Sequence, residues 1–217
     1  VAILNLDDAN VEQWIALNTV NHYLSFSLDN PQADVYASNL ELQAAGNYRF
    51  NLHFKAECAS VTLNLLALHN VKNALAAAAS TLAIGASFAE VVAGLKSAHT
   101  IAGRLKALRG VNGATVIDDS YNGNPDSVKA GIDLLAQLPG IKLLALGDMG
   151  ELGDDELSLH REIGTYAANK KINQLFSCGE KGALAAAEFA KLTNTVITAF
   201  HNKNDMIIKI EEMMDSE

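Results

Sequence analysis

Short apolar runs alternate with helical stretches throughout the second half of the sequence, and this alternation is the strongest constraint on the fold. The apolar runs predict strands at 114–118, 141–147, 173–177 and 195–199. The stretches between and after them predict helices near 126–137, 157–170, 181–191 and 204–215. Strands separated by helices of roughly 10 to 15 residues pair in parallel, with right-handed crossovers. We therefore predict an α/β unit with a parallel sheet, in which ligands bind beyond the carboxyl ends of the strands.

The first part of the chain has a different pattern, in which strands dominate. "VAILNLDD" at 1–8 is an apolar run closed by two acids, and "HYLSFSL" at 22–28 alternates polar with apolar side chains. "YRFNLHFKA" at 48–56 and "SVTLNLLAL" at 60–68 predict a hairpin, with a Gly-Asn turn inside 44–47 before it. These strands predict part of a mixed or antiparallel sheet.

Two helices are predicted after these strands. "HNVKNALAAAASTLAIG" at 69–85 has apolar side chains at helical spacing and ends at Gly85, a residue typical of helix C-termini. Ser87 with Glu90 three residues later forms a capping-box pattern. The second helix is therefore predicted to run to about Ser97.

A domain boundary is predicted between the two patterns. Residues 98–113 lack clean periodicity and contain several turn-forming residues. We therefore predict one domain at 1–100 and a second at 101–217. The sequence begins without Met on a predicted strand and stops inside a helical pattern, so we expect a fragment of a longer protein.

Charge and composition exclude several classes of protein. Lys and Arg total 16 against 25 Asp and Glu, for a formal charge of −9, which argues against a nucleic-acid partner. Cys58 and Cys178 lie far apart and outside any CxxC pattern, so neither a disulfide framework nor a zinc site is predicted. The apolar stretches fall short of the ~18 residues that span a bilayer. The N-terminus has no basic signal-peptide region, so we predict no membrane span and a cytoplasmic location.

The segment "IDDSYNGNPDS" at 117–127 places two acids and several turn-forming residues at the end of a predicted strand. One interpretation is a strand-to-helix loop in which Asp126 or Ser127 caps the next helix. Turn chemistry does not account for Asp118 and Asp119, because a buried carboxylate costs several kcal/mol unless a partner or ligand compensates. Since side chains alternate along a strand, one acid can face the core and the other must face the ligand edge.

A second acidic segment, "LGDMGELGDDE" at 146–156, also follows a predicted strand and precedes the helix that contains His160. Acids in a first helical turn stabilise the helix by roughly 0.3 to 1 kcal/mol each, which is the simplest explanation of this segment. The alternative is that the segment lines the ligand edge. A single histidine on a helix is more often a surface or packing residue than a functional one.

Asn70 and Asn73 form a third candidate feature, because residues at i and i+3 share one face of a helix. Their amides could therefore hydrogen-bond a planar heterocycle that lies across the first helical turn. The alternative interpretation is that Asn70 is simply the N-cap of this helix.

Taken in order, "HNVKNALAAAA", "GRL", "DDSYNGNPDS" and "GDMGELG" followed by His160 resemble the motifs of the Mur ligase family. The resemblance covers nearly the whole chain and is strongest to the branch that adds D-alanyl-D-alanine. It implies that residues 1–100 are the remainder of a central ATPase domain, with β-strands plus two helices. Residues 101–217 are implied to be a Rossmann-like, parallel-sheet C-terminal domain that is truncated at its end.

The resemblance implies ATP-dependent amide ligation in peptidoglycan precursor synthesis, a part of cell-wall biogenesis that serves cell shape and cell division. The expected reaction joins D-alanyl-D-alanine to UDP-N-acetylmuramoyl-tripeptide through an acyl phosphate. ATP and Mg²⁺ are the implied cofactors, with the magnesium ligands mostly outside this chain, and the implied partners are small molecules. Because the sequence contains no GxxxxGKS/T phosphate loop, we expect this chain alone to be inactive.

The resemblance also assigns residues to the two ligands, with Asp119 at the ribose and Asp118 held by a structural partner. The implied nucleotide contacts are His69, Asn70, Asn73, Arg104 and Asp119. The implied dipeptide contacts are Asn122, Asn124, Asp126, Asp148 and His160. No catalytic residue and no metal ligand is implied within this chain. Two alternatives stay open: a related Mur ligase that adds another amino acid, and a non-catalytic nucleotide- or ligand-binding module.

Overall fold

The computed structural model describes residues 1–17 and 22–215. The chain divides into two compact units, Val1–Thr100 and Ile101–Glu217. Each unit has its own strands and its own buried core.

The first unit is built on a five-stranded mixed sheet, as the strand pattern predicts. Neighbouring strands pair in sequence order, in parallel from β1 to β3 and antiparallel from β3 to β5. Alternate side chains such as Phe50 and Leu52 are fully buried and form one core with the helices. The strands are β1 Ala2–Asn5, β2 Tyr23–Ser27, β3 Val35–Leu42, β4 Asn47–Phe54 and β5 Glu57–Leu66.

Three helices belong to the first unit: α1 Val11–Leu17, α2 Leu68–Ala83 and α3 Phe88–Ser97. The predicted end of α2 at Gly85 is confirmed. This glycine has a φ of +99°, and the two amides that follow the helix bond back to its last turn in a Schellman arrangement. The predicted capping box of Ser87 and Glu90 is also confirmed at the start of α3. No helix in the described part of the chain is long and apolar enough to cross a membrane.

Two elements of the first unit have no counterpart in the sequence prediction. Helix α1 has only seven residues and buries none of them, and a segment this short is below the roughly 11 to 18 residues over which helical periodicity is recognised. Strand β3 contains a register shift between Ser38 and Glu41, and Asn39 has a φ of +51°. Such a bulge interrupts the apolar–polar alternation from which strands are predicted.

The second unit contains a three-stranded parallel sheet in the order β10-β9-β8. Its core lies between the sheet and helices α5 and α6, with Ile163, Leu175 and Phe189 almost fully buried. The predicted helices and these three predicted strands are confirmed to within about three residues at their ends. The helices are α4 Pro125–Gln137, α5 Glu156–Asn169, α6 Gly182–Thr193 and α7 Lys203–Asp215. The parallel strands are β8 Leu143–Leu146, β9 Gln174–Cys178 and β10 Thr198–Phe200.

The first strand predicted for the parallel sheet pairs differently from the prediction. Strand β7, Thr115–Asp118, pairs antiparallel with β6, Lys106–Arg109, in a separate two-stranded ribbon. Gly110 N donates to the Ala114 carbonyl at 2.8 Å across the turn between them. A connection this short can only bring the chain back antiparallel, whereas a parallel partner needs a crossover of roughly a dozen residues. The prediction missed β6 and therefore assigned β7 to the wrong sheet.

Candidate functional site

The two segments singled out in the sequence are neighbours in the second unit. The β7–α4 loop, residues 119–124, follows β7, and the β8–α5 loop, residues 147–155, follows β8. A Cβ atom placed on Gly123 would lie 3.8 Å from Cγ of Met149, so the two loops lie beside each other at this point. These loops form the candidate ligand edge.

Asp118 and Asp119 both bind backbone amides of the segment that precedes β6. Oδ2 of Asp118 accepts from Gly103 N at 3.1 Å, and Oδ1 accepts from the Ser120 hydroxyl at 2.6 Å and from its amide at 3.2 Å. The hydrogen bond from the Ser120 hydroxyl is the main cause of a lowered pKa for Asp118. Asp118 therefore has the structural partners expected of it. Asp119 accepts from Leu105 N at 3.1 Å and its side chain lies at the surface.

Arg104 lies against Tyr121, a residue that the sequence interpretation did not single out. The guanidinium carbon is 4.4 Å from the ring centroid, at a distance typical of a cation–π contact. Tyr121 N donates to the Gly103 carbonyl at 3.0 Å, which places the ring beside the arginine. Tyr121 is 68% exposed, and an aromatic ring at the surface of a polar loop is the signal that could have identified it.

The asparagines of the β7–α4 loop have different surroundings. Oδ1 of Asn124 accepts from Ser127 N at 2.9 Å, which makes Asn124 the N-cap of α4, with Pro125 at the first helical position. The prediction of Asp126 or Ser127 as the cap is therefore wrong, because the helix begins earlier. Asn122 accepts only from the adjacent Gly123 N at 2.9 Å among the bonds recorded for it, and its side chain is exposed, as is that of Asp126.

Replacing Asn124 by alanine should lower the free energy of unfolding by about 1 kcal/mol, because the first turn of α4 loses its capping oxygen. Asn122→Ala is the matched control, since its side chain bonds only the next amide, and we expect no measurable change in stability. Urea denaturation of both variants measures the difference. Equal losses in the two variants would contradict the capping role.

Asp148 caps the N-terminus of α6. Its Oδ1 accepts from Lys181 N at 3.1 Å and from Gly182 N at 2.7 Å, two of the amides that a helix leaves without intrahelical partners. Gly179, with a φ of +111°, allows this approach, because a Cβ there would lie 2.3 Å from the same oxygen. In this structure Asp148 thus fixes the β8–α5 loop to α6, and a contact with a dipeptide stays a prediction.

Lys181 is a charged residue of the same edge that the sequence interpretation missed. Its ammonium group pairs with the carboxylate of Glu156, the first residue of α5. This hydrogen bond, with the charges of Glu156 and Asp148, raises the pKa of Lys181. The glycine-flanked segment "GEKG" between a strand and a helix is the signal that could have identified it.

His160 is completely buried and holds the β8–α5 loop by a hydrogen bond. Its Nε2 accepts from Met149 N at 2.9 Å, and its Nδ1 lies 2.7 Å from the Glu156 carbonyl. Since a carbonyl can only accept, the two bonds assign the proton to Nδ1 of a neutral ring. Both nitrogens are therefore engaged inside the protein, and a direct contact between His160 and a dipeptide would require one of these bonds to break.

The remaining candidate residues lie in the first unit, on the first two turns of α2. The Asn73 amide donates to Oδ1 of Asn70 at 3.2 Å, so the pair shares one face, and Asn70 in turn donates to the Leu66 carbonyl at 2.7 Å. The N-cap position is Ala67, without a side-chain hydrogen bond, so the interpretation of Asn70 as the N-cap is wrong. Asn73 is exposed, whereas His69, the second residue of α2, is half-buried.

Within residues 1–17 and 22–215, no group of three or more His, Cys, Asp or Glu side chains is placed to hold a metal ion. These residues do not fit a magnesium site by themselves, and no step proposed below depends on one.

Sequence profiles of one enzyme family cover both units. Residues 1–81 match the Mur ligase middle domain, and residues 103–216 match the domain described as "Mur ligase, glutamate ligase domain". The chain belongs to the Mur ligase family.

Individual relatives show which members of the family this chain is similar to. UDP-N-acetylmuramoyl-tripeptide–D-alanyl-D-alanine ligase of Escherichia coli is 32% identical over 181 residues, which are 83% of this chain and 40% of that protein. A crystal structure of MurF from Acinetobacter baumannii superposes with a TM-score of 0.87 and 31% identity, over 99% of this chain and 45% of that one. MurF of Thermotoga maritima in complex with ADP has the same fold, with a TM-score of 0.76, 19% identity and coverage of 96% and 46%. The chain spans about 40% of the length of the curated relatives that it matches.

Proposed function

We propose that this chain is the nucleotide- and dipeptide-facing part of an ATP-dependent ligase that adds D-alanyl-D-alanine to UDP-N-acetylmuramoyl-tripeptide. This reaction would belong to peptidoglycan precursor synthesis. The proximity of Gly123 to Met149 carries the proposal, because it places the two motif segments at one edge. The names of relatives that are 32–36% identical over most of the chain support the choice of substrates.

Nucleotide contacts are proposed for each unit by itself. Bound ATP would supply the γ-phosphate that activates the tripeptide carboxylate as an acyl phosphate. The exposed Asn73 amide, held by Asn70, has the donor and acceptor that an adenine edge requires. A carboxylate has about four acceptor positions, so the hydrogen bond of Asp119 with Leu105 N is compatible with a ribose hydroxyl as a further donor.

Arg104 is the proposed partner of the phosphate oxygens, because a guanidinium binds such groups with two parallel hydrogen bonds. Its contact with the Tyr121 ring holds the side chain in place before a ligand arrives. His69, on the same helical turn as Asn70, completes the proposed set.

The dipeptide is proposed to bind at the ligand edge of the second unit. Asp126 and Asn122 are exposed there, so a carboxylate is available to the amino group of the dipeptide and an amide to its carbonyl or carboxylate. Asn124, Asp148 and His160 would act through the loops, whose backbone they hold. Catalysis of this kind rests on positioning the amine against the activated carboxylate.

We infer that the whole protein works in the cytoplasm, where ATP is available. The first inference to test is that the 217 residues alone are inactive, because they contain no phosphate-loop pattern. Incubation with both substrates, ATP and Mg²⁺ tests the first inference, and release of phosphate would refute it. An assay of the full-length protein with D-alanyl-D-alanine against single amino acids tests the substrate. Preference for a single amino acid would indicate a related Mur ligase. Absence of turnover with both the dipeptide and the single amino acids would indicate a binding module.

In the full-length protein, Asp119→Asn should raise the Michaelis constant for ATP roughly ten- to a hundredfold, because a hydrogen bond to a charged group contributes about 1.5 to 3 kcal/mol. Asp118→Asn is the matched control, since its carboxylate bonds the backbone of the loop, and we expect an unchanged Michaelis constant. Steady-state kinetics with varied ATP measures both. An unchanged constant for Asp119→Asn would remove the ribose role.

A further inference from the structure

Helices α4 and α5 are joined by a polar network that begins at Lys129, one turn after the start of α4. Nζ of Lys129 lies 2.6 Å from Oε1 of Glu162, and one turn further along, the Tyr166 hydroxyl lies 2.9 Å from each oxygen of Asp133. Lys170 pairs with the same aspartate at 2.6 Å. The two connections are therefore successive cross-links between the same helices.

Tyr166 is the centre of this network. The ammonium groups of Lys129 and Lys170 lie 5.8 and 5.0 Å from its ring centroid, so one half-buried ring contacts both lysines while its hydroxyl holds Asp133. A single surface ion pair contributes little to stability, typically less than about 1 kcal/mol. A connected network has a different effect, because each group fixes the geometry of the next. The network therefore favours one register of α4 against α5.

The same two helices carry the loops of the ligand edge. Helix α4 starts at its Asn124 cap, directly after the β7–α4 loop, and His160 on α5 holds the amide of Met149 in the β8–α5 loop. The loops lie beside each other at Gly123 and Met149. Since one residue corresponds to about 1.5 Å along a helix, a slip of α4 by one residue would change the spacing of the two loops.

We propose that Tyr166, through its two hydrogen bonds to Asp133, is a positioning residue that sets the register of α4 against α5 and so the spacing of the two edge loops. The role of the loops as a ligand edge rests on the proposed function. The register of α4 against α5 does not depend on that function. The hydroxyl of Tyr166 bonds Asp133, and its ring contacts Lys129 and Lys170. None of these three residues is proposed to contact a ligand.

Amide hydrogen exchange of this chain tests the register. Tyr166→Phe keeps the ring between the lysines and removes both bonds to Asp133, so we expect exchange at Met149 and Ser127 to accelerate several-fold, with β9 and α6 unchanged. Asp133→Ala should give the same pattern, and the double variant should add little to it. Thr165→Val is the control, because its hydroxyl bonds Arg161 of the same helix. Uniform acceleration, or none at Met149, would overturn the proposal.

Kinetics of the full-length protein separates positioning from stability. A displaced loop weakens substrate binding, so Tyr166→Phe should raise the Michaelis constant for the dipeptide several-fold. Partial unfolding would instead reduce the amount of active enzyme, which lowers the apparent kcat and leaves the Michaelis constant unchanged. A change confined to kcat would refute the positioning role. If the full-length protein proved to be no ligase, the exchange experiment would still decide the register.

Discussion

Gly179→Ala is expected to lower the free energy of unfolding by about 3 kcal/mol, because the new methyl group and the carboxylate of Asp148 cannot both be accommodated. A φ of +111° is unfavourable for any side chain, at a cost of roughly 1 to 2 kcal/mol. A Cβ would also lie 2.3 Å from Oδ1 of Asp148, which must then leave the amides of Lys181 and Gly182. Loss of a helix cap adds about 1 kcal/mol. Urea denaturation measures the sum.

Gly150→Ala is the matched control for this substitution. Its Cβ would meet no atom within 4 Å, and no positive φ is required there, so we expect little change in stability. A double variant with Asp148→Ala isolates the clash: because the carboxylate is then absent, the cost of the alanine at 179 should fall to the backbone strain alone. Equal costs of Gly179→Ala with and without Asp148 would contradict the explanation.

His160→Phe is expected to lower the free energy of unfolding by about 2 kcal/mol although a planar aromatic ring is kept at this position. Phenylalanine has no acceptor for Met149 N, and Met149 is only 3% exposed, so the amide loses its partner without regaining water. A buried donor left unsatisfied costs about 1 to 3 kcal/mol. Chemical denaturation together with exchange at the Met149 amide measures the effect.

His160→Gln provides the comparison, since its side-chain oxygen can reach the position of Nε2 and accept from Met149 N. We expect this variant to retain part of the lost stability and part of the protection of the Met149 amide. A phenylalanine variant as stable as the wild type would show that the loop does not depend on this hydrogen bond.

Local sequence signals were sufficient for most of the elements. Gly85 and the Ser87–Glu90 pair mark helix ends because their chemistry acts within a few residues. The pairing of β6 with β7 was not predictable in the same way: β6 is four residues long and mostly exposed, so it carries no periodic signal. Helix α1 and strand β3 were missed for related reasons, one without a buried face and the other interrupted by a bulge.

The sequence predicted which residues belong to the candidate site better than it predicted the hydrogen-bond partners of those residues. The acids at 118 and 119 and the Gly-Asp pair at 147–148 were flagged because they follow strands, and the structure places them in or beside adjoining loops. Apart from the Ser120 hydroxyl, the partners described above are backbone amides, which every residue except proline possesses and no side-chain pattern reveals. The amide bonded by Asp148 belongs to Lys181, 33 residues away. Such a pairing follows from tertiary structure alone.

The double attachment of the β8–α5 loop has a consequence for affinity. Asp148 holds this loop to α6, and His160 holds it to α5 one residue later in the chain, so its backbone is ordered in the absence of any ligand. Fixing the backbone of one residue costs roughly 1 to 2 kcal/mol of conformational entropy. That cost is met during folding, which makes the loop a preorganised surface. A ligand that binds it retains more of its interaction energy as affinity than it would on a loop that must first be ordered.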